Sequence, residues 1–253
     1  MKVTLIIQDE PFYPGYNVDY ILKNLKSAEV VSCVLSDFYP YGKKDSFMKR
    51  AKSLMSIYGT KTFMYYLRHY LYYSIIKKKS IPYFLKKYNI PVIKLDKSIN
   101  AKESIEKIKS YHPDLLVSVT STEIFKSEII NLAPKGCINS HHALLPSYKG
   151  LQPTFWILKN GEEEAGESVF YVNEGVDTGD IIVQRKFEVP PKATHRQLLL
   201  LSKLEGAKAI IQAIDDIAND KVKVIKPDYK SSYYTFPKKE DVIEFEAGGN
   251  KMF

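Results

Sequence analysis

Residues 114–119 read Asp114-Leu115-Leu116-Val117-Ser118-Val119. The apolar centre of this run has no polar alternate face. A strand of that kind is covered on both sides, as in a parallel sheet flanked by helices. The surrounding sequence agrees. Strand-like runs at 3–8, 29–35, 91–95 and 136–140 alternate with helical patterns near 18–25, 83–88, 102–110 and 123–132. Ile21, Leu22 and Leu25 share one side of the first helix, and Ile105 and Ile108 point inward from the third. This order predicts an α/β domain with a mainly parallel central sheet. Ligands of such sheets bind beyond the carboxyl ends of the strands.

The pattern changes after Gly150. A helix at 151–158 is entered through Gln152-Pro153, with Pro near a helix start where its missing N–H costs little. Strands at 167–172 and 180–189 flank the Gly-punctuated loop Asn173-Glu174-Gly175-Val176-Asp177-Thr178-Gly179. A long helix is expected over 194–218, opened by a capping box at Thr194 and Gln197. Leu200, Leu204, Ala207, Ile211 and Ile214 form its expected apolar stripe. Residues 1–220 are assigned to one domain with a helical insertion at about 41–88. Residues 221–253 are assigned to a strand, at 222–225, and an irregular tail. Tyr233-Tyr234-Thr235-Phe236 is apolar enough either to pair two subunits as a homodimer or to fold back.

The 253 residues are 45% apolar, enough to build a core. The first eight residues are strand-like and quickly turn polar, unlike a secretory leader. No apolar run reaches the length of a spanning helix. Cys33 and Cys137 sit in apolar runs and read as reduced core residues of a cytoplasmic protein. The net charge of +8 is concentrated. Residues 41–80 hold ten Lys or Arg against Asp45, a local charge of +9, while the remainder has 27 basic and 28 acidic residues. The overall basicity is therefore no argument for nucleic-acid binding by the whole chain. The same segment carries nine of the 31 Tyr and Phe residues, most densely in the run 63–73, and is expected to be helical from 47 to 76. Three readings stay open for it: an insertion packed on the sheet with solvated lysines, a site for a phosphate-bearing substrate, or a surface that docks on a membrane or a partner.

Residues 138–146 read Ile138-Asn139-Ser140-His141-His142-Ala143-Leu144-Leu145-Pro146 and follow the last apolar strand of the parallel series. They occupy the carboxyl rim where ligands are expected. When a carbonyl carbon is attacked, its oxygen gathers negative charge, and an Asn amide or an imidazolium aimed at that oxygen stabilises the transition state. A carboxylate beside the imidazole favours its charged form and can relay a proton. Asp177, in the Gly-rich loop, is the leading carboxylate.

Two motifs then carry a resemblance. Asn139-x-His141-x-x-Leu144-Leu145-Pro146-x-Tyr148-x-Gly150, followed by Gly175-Val176-Asp177-Thr178-Gly179-Asp180-Ile181-Ile182, resembles the tetrahydrofolate-dependent formyltransferase family. Members of that family act on methionyl-tRNA, glycinamide ribonucleotide and nucleotide-linked amino sugars. The resemblance covers about residues 110–215 and, weakly, the first strand. It implies a Rossmann-like formyltransferase fold, with the basic aromatic insertion and a short C-terminal extension as additions. It implies Asn139, His141 and Asp177 as the catalytic trio, with Asp177 orienting His141 and helping to move the amine's proton. It implies 10-formyltetrahydrofolate as the formyl donor, its pterin lying among Ser118, Val119, Thr120, Thr122, Glu174, Gly175 and Val176. Lys149 and Gln152 are candidate contacts to an acceptor, with plain surface roles as the alternative. No metal is expected.

The chain departs from the family pattern in places. Ala143 stands where Ser is usual. His142 has no family role and reads as a pocket-wall residue. Gln8-Asp9-Glu10-Pro11-Phe12-Tyr13 replaces the Gly-rich loop of the glycinamide ribonucleotide enzymes, which argues against that acceptor. The expected acceptor is a small primary amine carrying phosphate, best a nucleotide-linked 3- or 4-amino deoxysugar. The short sequence after Asp220 favours it over methionyl-tRNA, whose enzymes add a further RNA-binding domain. The alternatives are a methionyl-tRNA formyltransferase-like enzyme, a folate-binding protein without transfer activity, and hydrolysis of the formyl folate by water.

Overall fold

The computed structural model describes residues 1–10, 12–36, 47–75, 79–121 and 123–253. In chain order the first half comprises β1 (Lys2–Gln8), α1 (Tyr16–Asn24), β2 (Glu29–Ser36), α2 (Phe47–Ile75), α3 (Ile81–Lys87), β3 (Val92–Ile93), α4 (Lys102–Lys109) and β4 (Leu115–Ser118). Then follow α5 (Ser127–Ile130), β5 (Cys137–His141), β6 (Lys149–Gly150), α6 (Pro153–Lys159), β7 (Glu164–Tyr171) and β8 (Ile181–Glu188). The chain closes with α7 (His195–Ala218), β9 (Tyr233–Tyr234) and α8 (Lys239–Ala247).

The main sheet has the order β3-β2-β1-β4-β5-β7-β8. Its first five strands are mutually parallel, and β7 and β8 continue it antiparallel. The mainly parallel α/β sheet read from the sequence is thus present. Both faces are covered. Leu5, Ile7, Val117 and Ile138 meet Ile21 of α1 and Ile210 and Ile214 of α7. Ile6, Leu116 and Cys137, one residue out of phase, meet Ile105 and Ile108 of α4 and Ile129 of α5. The all-apolar β4 follows from this: alternate side chains enter different cores, and all four of its residues are buried. Truncating Leu116 to Ala would cost roughly 2–5 kcal/mol. Cys33 and Cys137 are free thiols in opposite cores, so the sheet separates them.

Four expectations need correction. The helix expected over 123–132 is only α5. Glu123 instead accepts hydrogen bonds from the Ile99 N–H (3.1 Å) and the Ser98 hydroxyl, while the Asn100 side chain binds Lys126 N (2.8 Å) and Ile124 O (2.9 Å). These bonds hold 123–126 as a loop. The capping box of α7 is present, but only part of the expected stripe is enclosed: Ala207 and Ile214 are buried, and Leu204 is not. Leu198, Ser202, Gly206, Ala209 and Ala213 lie against the sheet, whereas Leu204 is exposed. Gly206 is where α7 comes closest to β7: a Cβ there would lie 2.9 Å from Glu167 Oε2. Residues 222–225 form no strand beyond a single bridge, Ile181 to Ile225. The C-terminal segment is also not irregular: β9 pairs with β6, and α8 packs on α6 through Phe245 stacked on Phe155 at 4.7 Å. The segment folds back on its own chain, the second of the two roles considered for Tyr233–Tyr234.

The insertion is helical as expected, broken at Gly59, whose φ of 75° and ψ of 163° suit only glycine. Its residues 41–46 and 76–78 lie outside the described residues, as does Thr122.

Candidate active site

Strand alternation sorts the polar residues at the end of β5. Ser118 of β4 pairs in register with Asn139, and Asn139 and His141 are two apart, so all three project from one face of the sheet. Among the described residues the half-buried Asn139 side chain makes no hydrogen bond, leaving its amide available to a ligand. The buried hydroxyl of Ser118 also lacks a partner among them. An orphaned buried hydroxyl next to an uncommitted amide fits a polar ligand edge laid across the strand ends.

His141 and Asp177 come together from different loops. Nδ1 of His141 is 3.7 Å from Oδ2 of Asp177. Nε2 of His141 is 2.8 Å from the carbonyl oxygen of Tyr148. A carbonyl only accepts, so Nε2 carries a proton. A second proton on Nδ1 would face the carboxylate, so the imidazolium is the form in which both nitrogens point at acceptors. Asp177 sits in the left-handed region, with φ of 51°, and its Oδ2 accepts the Gly150 N–H at 2.8 Å. One short segment, Tyr148 to Gly150, therefore fixes both members of the pair with main-chain groups.

That segment is fixed in turn by the C-terminal fold-back. Ser232 Oγ accepts from Tyr148 N at 2.8 Å, Ser232 O from Lys149 N at 3.0 Å, and Tyr234 O from Leu151 N at 2.9 Å. The Tyr234 ring stacks on Tyr148 at 5.2 Å and on Trp156 at 4.8 Å. Trp156 donates from Nε1 to Thr235 O at 3.1 Å, so it packs α6 against the fold-back. Gly150, at φ of 96°, is confined by the same contact: a Cβ there would lie 2.2 Å from Tyr234 O. Sequence reading missed these roles of Tyr148, Gly150, Ser232 and Tyr234.

The other expected residues are distributed as follows. Val119 is buried and Thr120 half-buried beyond β4, with the Gln8 N–H donating to Thr120 O at 3.1 Å. Glu174, Gly175 and Val176 are exposed on the loop before Asp177. The Glu174 carboxylate accepts from the Ser127 hydroxyl, and Asn173 Oδ1 accepts from Gly175 N at 3.0 Å and Thr178 Oγ1 at 2.9 Å. Lys149 lies in β6 between Tyr148 and Gly150. Gln152 is the left-handed residue that starts α6, with φ of 56°. Neither side chain makes a hydrogen bond or ion pair with the trio.

His142 is not a pocket wall. Its ring turns to the α7 side of the sheet, where Nδ1 lies 2.7 Å from Oε1 of the fully buried Glu167, and Ser140 Oγ donates to Oε2 at 3.3 Å. A Cβ at Gly206 would lie 2.9 Å from Glu167 Oε2, so glycine there leaves the carboxyl its space. Burial pushes the Glu167 carboxyl well above the usual carboxylate range. Burial, with the Lys203 ammonium nearby, pulls His142 down to about 4. Both shifts favour the uncharged forms of the pair. Beside it Lys203 is ion-paired with Glu10, and Phe12 and Tyr13 pack on Tyr66, the two Tyr hydroxyls 3.2 Å apart. The protein's own side chains thus fill the region that follows β1.

A model of the Formyl transferase family matches residues 74–214, more than half of the chain. A methionyl-tRNA formyltransferase of Kosmotoga olearia is 35% identical over 179 residues, covering 68% of this chain and 57% of the relative. One of Clostridium botulinum is 30% identical over 170 residues, covering 67% and 53%. The chain spans about half the length of these curated relatives. Among solved structures, glycinamide ribonucleotide transformylase 1 from Symbiobacterium toebii superposes with a TM-score of 0.61 at 17% identity, covering 89% of this chain and 94% of that one. A sugar 3N-formyl transferase crystallised with dTDP and 5-N-formyl-THF gives 0.57 at 23% identity, covering 93% and 69%. At these identities the likeness is one of fold, and it matches the parallel sheet with flanking helices described above. With the family model running from the end of α2 into α7, this chain belongs to the formyl transferase family.

Proposed function

We propose that the chain transfers a formyl group from 10-formyltetrahydrofolate to the primary amine of a small phosphate-bearing acceptor, a nucleotide-linked amino sugar. The observation that carries transfer is the approach of the Asp177 carboxylate to the His141 ring, 3.7 Å, beside the uncommitted Asn139 amide. The donor supplies an activated formyl carbon. The Ser118 hydroxyl, the backbone of Val119 and Thr120 and the loop Glu174 to Val176 would hold it across the strand ends. The Asn139 amide donates to the formyl oxygen as negative charge gathers there, beside the His141 ring, whose Nε2 the Tyr148 carbonyl holds. One such donor is worth about 10²–10³ in rate. Asp177 orients His141 and takes up the proton that the attacking amine releases; the bond from the formyl carbon to the folate nitrogen then breaks, and that nitrogen leaves with the proton as tetrahydrofolate. Lys149, flanking the Tyr148–Gly150 segment, and Gln152 are assigned to the acceptor.

The side chains of Glu10, Phe12 and Tyr13 occupy the region after β1 and leave it without a Gly-rich phosphate cradle, which disfavours glycinamide ribonucleotide. The sequence relatives favour a second reading, methionyl-tRNA as acceptor. One experiment separates the three. The protein is incubated with 10-formyltetrahydrofolate and, in turn, a panel of nucleotide-linked 3- and 4-amino deoxysugars, methionyl-tRNA and glycinamide ribonucleotide, and each acceptor is weighed by mass spectrometry. Formylation adds about 28 Da. A gain on an amino sugar alone is the expected result. A gain on methionyl-tRNA alone replaces the acceptor, and no gain on any amine with tight folate binding replaces transfer by folate binding.

A further inference from the structure

The two faces of α2 after Gly59 differ from those of an ordinary surface helix. The inner face, Thr62, Tyr65, Tyr66, Tyr70 and their neighbours, packs on the body of the protein. Tyr65 stacks on Phe253 at 3.9 Å, and Phe12 meets Tyr66 at 6.1 Å and Tyr70 at 5.8 Å. The outer face should then be polar, because a helix that is apolar all round is normally enclosed. It is not polar. Met64, Leu71, Tyr72 and Ile75 are 54%, 52%, 42% and 79% exposed. Met64, Arg68, Leu71 and Ile75 follow one another at spacings of four, three and four, a single stripe along the helix. A shallow apolar groove runs along it, lined by Met64, Tyr65, Leu67, Arg68 and Leu71.

The charge on this face identifies what covers it. Phe47 to Ile75 contains no Asp or Glu, Lys61 and Arg68 are exposed beside the aliphatic stripe, and the sequence continues with Lys77-Lys78-Lys79. A twofold contact between two copies would set this all-basic face against itself. A nucleic acid would neutralise the cations and leave Met64, Leu71 and Ile75 in water. An anionic bilayer satisfies both features. Aliphatic side chains enter the boundary between headgroups and acyl chains, Tyr72 sits at headgroup level, and Lys and Arg reach the lipid phosphates. No helix among the described residues is long and apolar enough to cross a membrane, so contact of this kind lies in the interface.

We infer that the outer face of α2, along Met64, Arg68, Leu71 and Ile75, docks the protein peripherally on an anionic lipid surface. This holds whichever amine the active site formylates. Each basic residue near such a surface strengthens partition about fivefold. The test is sedimentation of the whole chain with vesicles of phosphatidylcholine alone or mixed equally with phosphatidylglycerol, at low and high salt. Binding to the anionic vesicles that added salt weakens is expected. Arg68→Glu reverses one charge and should weaken it about 25-fold. Leu71→Glu with Ile75→Glu should weaken it at least about tenfold through lost insertion. All three side chains are exposed, so thermal melts should match the wild type. No binding to anionic vesicles, or binding that the Leu71 and Ile75 substitutions leave intact, overturns the inference. So does a dimer, seen by sedimentation velocity without lipid, that these substitutions dissociate.

Discussion

Replacing His195 with Gln tests how the fold accommodates an imidazole enclosed at the start of α7. The ring is 4% exposed, its Nε2 lies 3.1 Å from Thr154 Oγ1, and its Nδ1 has no hydrogen-bond partner among the described residues. Burial lowers its pKa to about 4. The unfolded chain, with an ordinary histidine near 6.5, therefore takes up a proton before the folded one does as the pH falls. The native state loses stability across the window from about 6.5 to about 4, and above it the residue has no pH effect. Between pH 7.5 and 5.0 the loss amounts to about 2 kcal/mol, or about 30-fold in the folding constant. Gln offers Thr154 an amide of similar reach and does not titrate. Urea unfolding followed by Trp156 fluorescence at the two pH values should show the wild type losing about 2 kcal/mol more than His195→Gln. His142, also lowered to about 4, and Glu167, raised and so acting in the opposite sense, are common to both proteins and cancel in the difference. Equal losses in the two proteins would refute the argument, because they would mean that water or a charge reaches the ring.

Asp177→Asn should keep the melting temperature, because Asn tolerates φ of 51° and its side-chain oxygen still accepts the Gly150 N–H. A charge pair 3.7 Å apart is worth from about 1 kcal/mol in water to about 4.5 kcal/mol at an effective dielectric of 20, so turnover on the amine found by mass spectrometry should fall by about 10 to 10³. Asp177→Ala should lower both turnover and melting temperature. Gly150→Ala places a Cβ 2.2 Å from Tyr234 O at φ of 96°, so β9 should detach from β6; limited proteolysis should then cut within 221–238 faster than in the wild type. Glu167→Gln should change stability by less than about 1 kcal/mol in urea unfolding, since burial favours the uncharged carboxyl and Gln can keep its hydrogen bonds. Glu167→Ala should cost about 2–4 kcal/mol by stranding His142 and Ser140 in the core.

The sheet was legible in the sequence because its signal is local. Leu115 to Val117 admits only a strand covered on both faces, and the spacing of Asn139 and His141 puts both on one of them. Asp177 stood out as the carboxylate of the Gly-rich loop, but its pairing with His141 rested on the family resemblance, since no periodicity joins residue 177 to residue 141. Other features left no local mark. Glu167 follows the acidic run Glu162-Glu163-Glu164 and reads as one more solvated carboxylate. Only the close approach of Gly206 reveals that it is enclosed. The face of α7 was misread for a related reason. Counting large apolar residues found Ile214 but also selected Leu204, and it passed over the buried small residues Ser202, Gly206 and Ala209. The C-terminal segment was read as a tail because its decisive bonds, from Ser232 and Tyr234 to residues 148–151, are mostly main-chain bonds that any residue type could make.

Those bonds change where control of the active site lies. His141 and Asp177 make one hydrogen bond each to the Tyr148–Gly150 segment and only an approach of 3.7 Å to each other. Their separation is therefore set by that backbone more than by their own attraction. The backbone is set by Ser232 and Tyr234, more than fifty residues further along than Asp177. A substitution such as Ser232→Ala removes the acceptor for Tyr148 N without touching any reacting group. Its effect should still appear in the rate of the chemical step, because a displacement of the Tyr148 carbonyl moves the ring whose Nε2 it holds. Substitutions on the outer face of α2 should leave that rate alone. The two surfaces of this chain thus make opposite predictions for the same turnover measurement.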